Sequence, residues 1–272
     1  MTKIKNSSVL ITGAASGLGK LMALECLKDG AFHVYLVDIN QPELELVEHE
    51  FEALGFTKFS VHQLDVSNAD LVTAFARKIH LEYGAVEILI NNAGVVIGKN
   101  FVEHSVKDIQ KTINVNVLGP MYLTQAFLPV MLEHGSGHIV NIASASGLIA
   151  NPKMSVYAAS KWALIGWSES LRLELEQLEG DFHVTTVEPS YINTGMFDGI
   201  KAPLLTPILE PEYIVGQIMK GIKNNEILIR EPFIVNSLPL LRGLLPTRAF
   251  DYVAEKLGVY NSMDDFKGRS KP

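Results

Sequence analysis

The chain has 272 residues, of which 47% are hydrophobic and 19% charged, a composition that builds one α/β domain with a sizeable core and excludes a disordered chain. Lys and Arg number 23 against 30 Asp and Glu, and a net charge of −7 argues against a nucleic-acid partner, which calls for a basic patch. Cys26 is the single cysteine, which excludes an intrachain disulfide and a thiolate zinc cluster; with the eight His residues scattered, no metal site is expected, and a reducing, cytoplasmic setting fits.

Residues 1–6 leave no room for an export signal before the first predicted strand, 9–12. A helix over 18–29, a strand over 33–37, a helix over 42–54 and a strand over 59–64 follow, with apolar residues at helical spacing in the helices and in continuous runs in the strands. Next come a helix at 68–82, a strand at 87–91, helices at 106–114 and 117–134, and a strand at 138–143. A helix at 155–178, a strand at 183–187, a helix at 212–223 and a strand at 227–229 complete the alternation, which ends at Pro232. Positions 112–132 lack charge over a length that could span a membrane, but Asn114, Asn116, Gly119, Pro120, Gln125 and Pro129 mark a buried soluble helix. No repeat or flexible linker divides the chain, so residues 1–272 read as a single domain. Right-handed crossovers then imply an α/β fold, a doubly wound parallel sheet of about seven strands with helices on both faces.

Directly after the first strand stands Thr12-Gly13-Ala14-Ala15-Ser16-Gly17-Leu18-Gly19, whose three glycines let the backbone approach a pyrophosphate at a helix N-terminus. A glycine trio alone is weak evidence for a dinucleotide. Asp38 adds to it: it closes the second strand 19 residues beyond Gly19, near the offset at which an acid bonds ribose hydroxyls and repels a 2′-phosphate. No Arg or Lys stands at that place or just after it, so NAD is expected rather than NADP.

The Gly-x-x-x-Gly-x-Gly spacing resembles the short-chain dehydrogenase/reductase family. The resemblance extends to Asn91-Asn92-Ala93-Gly94 after the fourth strand, Asn116 in Asn116-Val117-Leu118-Gly119, Ser144 at the end of the fifth, and Tyr157-Ala158-Ala159-Ser160-Lys161, in family order from Val9 to about Thr194. A Tyr-x-x-x-Lys pair alone carries little weight, since eight Tyr and seventeen Lys predict roughly half an occurrence by chance. A second pair, Tyr252 and Lys256, does occur. Only Tyr157 has a serine, Ser144, at the family offset of 13 residues upstream, so Tyr252 and Lys256 read as structural.

The resemblance implies a Rossmann fold and a catalytic set of Asn116, Ser144, Tyr157 and Lys161. Residues four apart on a helix share a face, which sets Lys161 beside Tyr157. A phenol with an ordinary pKa near 10 must be lowered by about 3 to act as a base near pH 7. Lys161 and an oxidised nicotinamide ring are the expected sources. In this scheme Tyr157 takes the alcohol proton, Ser144 orients the substrate oxygen, Lys161 also holds the nicotinamide ribose, and Asn116 anchors a relay water. Further positions carried over as nucleotide contacts are Gly13, Ser16, Gly17, Leu18, Gly19, Asp38, Asp65, Val66, Asn92, Ala93, Gly94, Pro189, Ile192 and Thr194. Asp65 would meet the adenine amino group and Asn92 the adenosine ribose; a helix-capping acid and a turn-forming Asn are the bland readings of the two. Pro189-Ser190 departs from the family's usual Pro-Gly.

Residues 190–211 match a substrate lid, and Met196, Phe197, Ile200, Leu204, Leu205, Ile208 and Leu209 suggest a small lipophilic substrate. The segments 193–197, 209–213 and 262–268 are similar to the branch of retinol and 17β-hydroxysteroid dehydrogenases. The apolar tail, 232–272, with Arg242 and Arg248, is compatible with a membrane surface, core packing or a subunit interface. The family implies a homodimer or homotetramer. The leading reading is an NAD-linked oxidoreductase acting on a lipophilic alcohol or carbonyl; the alternatives are an NADPH-dependent carbonyl or 3-oxoacyl reductase and a catalytically silent dinucleotide-binding protein.

Overall fold

Strand β1 (Ser8–Thr12) is buried along its whole length, as a continuous apolar run covered on both faces must be. A computed structural model describes residues 1–268 and continues from β1 through α1 (Gly17–Lys28), β2 (His33–Asp38), α2 (Gln41–Ala53), β3 (Phe59–Gln63) and α3 (Ala69–Tyr83). Then come β4 (Ile88–Asn91), α4 (Val106–Ile113), α5 (Gly119–His134), β5 (Ser136–Ile142), α6 (Ser155–Leu175), β6 (Asp181–Pro189), α7 (Pro211–Asn224) and β7 (Leu228–Glu231). The predicted strands and helices are all present, with ends that match or shift by at most three residues. The sheet order is β3-β2-β1-β4-β5-β6-β7, with every pairing parallel, which makes the architecture a Rossmann-type doubly wound sheet. Because the order reverses between β1 and β4, their C-terminal ends part and open a crevice.

Alternate residues of each strand feed opposite faces. Ile11 packs with Met22, Leu36, Ile90 and Ile218 in one core layer, while Leu10 packs with Tyr35, Leu89, Phe127 and Leu171 in the other. Between α4 and α5, Asn114–Leu118 forms a π-turn, so the two helices read from the sequence form one continuous rod, Val106–His134. Proline explains the break in the ladder. Pro120 has no N–H, so the carbonyl four residues earlier, that of Asn116, receives no donor from position 120. The rod is long and apolar enough to cross a membrane, yet its Leu123, Phe127 and Met131 are packed in the core.

The tail adds α8 (Leu238–Leu244) and α9 (Thr247–Lys256), and its apolar residues divide between two environments. Val235, Ala254 and Met263 are buried, whereas Phe233, Leu240 and Leu244 are 83%, 63% and 70% exposed. Positions 269–272 of the predicted tail lie outside the described residues.

Gly19 in α1 is buried against the turn that leaves β1, and a Cβ there would stand 2.1 Å from the Gly13 carbonyl oxygen and 2.7 Å from Asn92 Nδ2. The obstacle is backbone, which yields poorly. Gly19→Ala is therefore expected to cost about 1–3 kcal/mol and to lower the thermal midpoint by several degrees, as measured by scanning calorimetry; an unchanged midpoint would show that the turn can shift.

Candidate active site

A cavity of about 380 Å³ opens at the C-terminal ends of the strands, where the crevice was expected. At one end it is lined by Gly13, Ser16, Gly17 and Leu18 of the glycine turn, by Asp38, and by Asp65, Val66, Asn92, Ala93 and Gly94. At the other it is lined by Ser144, Tyr157, Lys161, Pro189, Ile192 and Thr194. Of the catalytic and nucleotide-contact residues expected from the sequence, only Gly19 and Asn116 do not line it.

Local hydrogen bonding explains how the first group is held. Gly13 has φ +66 and Gly17 φ +54, conformations that a side chain disfavours, and Ser16 caps no N–H of α1 with its hydroxyl. The Asp38 carboxylate accepts from Ala15 N–H at 3.1 Å and Asn40 N–H at 3.0 Å, tying the end of β2 to the glycine turn. Asp65 lines the cavity and accepts from the Ser67 N–H and hydroxyl in a local turn; the cap of α3 is Asn68, not Asp65. Asn92 donates its amide to the carbonyls of Thr12 at 2.8 Å and Gly13 at 3.3 Å; it braces the turn, as a structural Asn does.

The second group sits deeper. Ser144, fixed by the Ser146 N–H that its hydroxyl accepts, is buried at the end of β5, and Tyr157 and Lys161 are buried one turn apart on α6. Lys161 Nζ donates to the Ile142 carbonyl at 2.7 Å and stands 5.7 Å from the Tyr157 ring centre. Asn116 is wholly engaged by protein: its Oδ1 accepts from Val95 N–H, and its Nδ2 donates to Val95 carbonyl and Ser160 Oγ. Both amide N–H groups of Asn116 are thus bonded to protein, and Pro120 offers no N–H to the Asn116 carbonyl. Ser190 donates its N–H to Glu231 carbonyl without adopting a positive φ, so replacing the usual glycine imposes no backbone strain.

The lid divides. Met196 and Phe197 line the cavity and Ile200 packs beside Tyr157, but Leu204, Leu205 and Ile208 are exposed and Leu209 belongs to the core. Sequence reasoning missed Ile39, Asn40, Val95, Lys111, Val115, Ile142 and Ala143 as lining residues. Their only signal was position, one or two residues from a motif or one turn before Asn116.

Burial dominates the electrostatics of the catalytic group. It pushes the Tyr157 phenol up; the Ser144 hydroxyl opposes the rise and Tyr191 adds to it. Lys161 Nζ donates to the Ile142 carbonyl, so the phenol is not lowered by a direct bond to the ammonium. Burial likewise brings Lys161 down to about 8. The second Tyr-Lys pair makes the same local contact, Lys256 Nζ lying 5.5 Å from the Tyr252 ring centre, but Tyr252 is 62% exposed on α9 and lines no part of the cavity. Tyr252 and Lys256 are structural, as read.

A family model described as short chain dehydrogenase matches residues 7–204. Epidermal retinol dehydrogenase 2 of Mus musculus is 36% identical over 266 residues, covering 97% of this chain and 86% of that protein. The chain belongs to the short-chain dehydrogenase/reductase family. Estradiol 17-beta-dehydrogenase 11 of Homo sapiens is 37% identical over 254 residues, covering 92% of this chain and 83% of that protein. A short chain dehydrogenase/reductase from Burkholderia phymatum in complex with NAD superposes with a TM-score of 0.81 at 25% identity, over 100% of this chain and 99% of that one. A metagenomic short-chain oxidoreductase in complex with NADP gives 0.71 at 29% identity, over 84% and 99%. This short-chain dehydrogenase/reductase is thus an oxidoreductase by family, and solved relatives bind one nucleotide or the other.

Because Lys161 is protonated at pH 7 at the expense of burial, removing its charge should strengthen the fold. Lys161→Met is expected to gain about 1–3 kcal/mol at pH 7 in urea unfolding while losing turnover. The folded-state value near 8 lies below the ordinary 10.5, so wild-type stability recovers as pH rises between them and the gap between the two proteins closes. A gap that is absent at pH 7, or unchanged at pH 10.5, would contradict the buried-charge account.

Proposed function

We propose that this short-chain dehydrogenase/reductase is an NAD-linked enzyme that moves a hydride between nicotinamide and the carbon of a lipophilic alcohol or carbonyl, of the retinoid, hydroxysteroid or long-chain alcohol class. The observation that carries the reading is a single cavity joining Asp38 to Ser144, Tyr157 and Lys161, with Met196 and Phe197 at the substrate side. The residues fit the nucleotide. A Cβ on Gly13 would fall 2.9 Å from Asn92 Nδ2 and 3.0 Å from Ala93 Cα, so a hydrogen alone leaves the turn open at the N-terminus of α1. Asp38 keeps its carboxylate at the end of β2, where it suits ribose hydroxyls and opposes a 2′-phosphate.

The nucleotide supplies the hydride acceptor or donor and, when oxidised, a positive ring. Tyr157 Oη takes the alcohol proton during oxidation and returns it during reduction. Ser144, its oxygen already accepting from Ser146 N–H, has its O–H left to donate to the substrate oxygen. Lys161 adds a cation beneath Tyr157, and the Asn116 carbonyl passes the proton on through water. The retinol and estradiol dehydrogenase names of the relatives, together with Phe197 packed edge-on to Tyr157 with ring centres 6.0 Å apart, support an apolar substrate.

NADH formation should be measured with retinol, hydroxysteroids, dodecan-1-ol and propan-2-ol. Turnover of a lipophilic alcohol is expected, and Tyr157→Phe is expected to lower kcat by roughly 10²–10⁴-fold with NAD still bound; a folded Tyr157→Phe with wild-type turnover sinks the assignment. Replacing the carboxylate by Asp38→Ala should cut the preference for NAD over NADP, as a ratio of kcat/KM, by about tenfold or more, equivalent to about 1.4 kcal/mol. Retention of the wild-type ratio would remove Asp38 from nucleotide choice.

A further inference from the structure

The chain beyond α9 returns across the molecule to the catalytic tyrosine. Met263 is buried in one apolar cluster with Tyr157 and Met154, and Val96, Tyr191, Phe197, Ile200 and Phe266 pack against it. The Phe197 ring sits between three others, with centres 6.0 Å from Tyr157, 5.2 Å from Tyr191 and 6.4 Å from Phe266. Two glycines admit this return. A Cβ on Gly98 would lie 2.5 Å from Phe266 Cδ1 and 2.7 Å from Met263 Cε, and a Cβ on Gly199, at φ +86, would lie 2.2 Å from the Asp265 carbonyl oxygen.

The segment is also latched. Ser262 is fully buried, its hydroxyl 2.8 Å from Tyr191 Oη and accepting from Asn151 Nδ2 at 2.8 Å. Lys201 N–H donates to Ser262 carbonyl and Lys267 N–H to Asp198 carbonyl, binding the turn to the lid. The remaining ties, Lys201 with Asp265 and Lys153 with Asp264, are ion pairs at the surface, which hold weakly. Met263 therefore shares a buried cluster with Tyr157, and Phe266 backs that cluster through Phe197, both from a turn whose outer fastenings are easily released. Methionine suits such a place because its unbranched thioether adapts to varied apolar shapes.

We propose that residues 262–266 form the outer wall of the substrate site, and that Met263 and Phe266 limit the bulk of the hydrocarbon that reaches Tyr157. The proposal rests on the dehydrogenase reading above. Phe266→Ala and Met263→Ala are expected to raise kcat/KM for cyclododecanol relative to propan-2-ol by fivefold or more, chiefly through a lower KM, with Phe266→Leu in between. Gly199→Ala should act in the same direction by pushing Asp265 outward without touching either apolar side chain.

Binding is measured separately, by calorimetric titration of cyclododecanol into the NAD-loaded full chain carrying Tyr157→Phe, with and without Phe266→Ala. A tighter Kd with Phe266→Ala supports the wall even if no alcohol is oxidised, in which case the dehydrogenase reading alone fails. Turnover of alcohols with an unchanged or lower ratio, and with Kd unchanged, overturns the wall and leaves the dehydrogenase reading standing. Absence of cyclododecanol binding in both proteins also overturns it. Should an alanine variant fail to fold, Phe266→Leu carries the same comparison.

Discussion

Parallel strands that part at a switch point leave backbone groups at their ends without a neighbouring strand, and every one that is buried must find another partner. Here the pairing of Thr12 with Asn92 meets that requirement. The Thr12 hydroxyl accepts from the Asn92 and Ala93 N–H groups, both at 3.0 Å, while the Asn92 amide donates back to the Thr12 and Gly13 carbonyls. The start of the glycine turn is thereby fixed to the loop after β4. Gly19, pressed against the Gly13 carbonyl, then fixes α1, and Asp38 ties β2 to the same turn through Ala15 N–H. The nucleotide half of the cavity follows from this one clamp, since each of its walls is bonded to the turn or to a residue that is.

The catalytic half is built on the opposite principle, in that its groups are placed where folding disfavours their working charge states. Burial raises Tyr157 and lowers Lys161, so neither the phenolate nor the ammonium is favoured by the surroundings. The pair at Tyr252 and Lys256 isolates what matters. It has the same spacing, the same helix face and nearly the same ring-to-cation distance, and lacks only the burial and the cavity. A motif of two residues specifies a contact, whereas reactivity comes from the low-dielectric place in which the contact is put.

This distinction also accounts for what could be read from the sequence. The strands and helices were legible from hydrophobic periodicity, and the glycine turn, Asp38 and the Tyr157–Lys161 pair from short local spacings; the other lining residues, such as Asp65, Asn92 and Thr194, came from the family resemblance alone. The π-turn was not legible, although Pro120 announces a missing donor, because a proline near a helix start more often marks a new helix than a widened turn in a continuing one. Spacing gives the proximity of Lys161 to Tyr157 but not the acceptor that Lys161 finds, the Ile142 carbonyl, which comes from a strand nineteen residues earlier.

The clustering of Met263 with Tyr157, backed by Phe266, was beyond reach for a related reason. It joins residues more than a hundred positions apart in a part of the chain outside the span of 7–204 that the family model matches. The segment 262–268 stood out in the sequence only for its likeness to relatives, which says nothing of where it packs, and Gly98, which admits it, is unremarkable in a loop. The two halves of the site thus differ in how they are held as well as in how they are encoded. The nucleotide side is fastened by short, largely shielded backbone bonds. The substrate side is closed by segments around 96, 197 and 263, meeting through apolar side chains, a few backbone bonds and exposed ion pairs. Local opening costs least where few buried bonds must break, so motion of this molecule belongs on the side where substrate must enter.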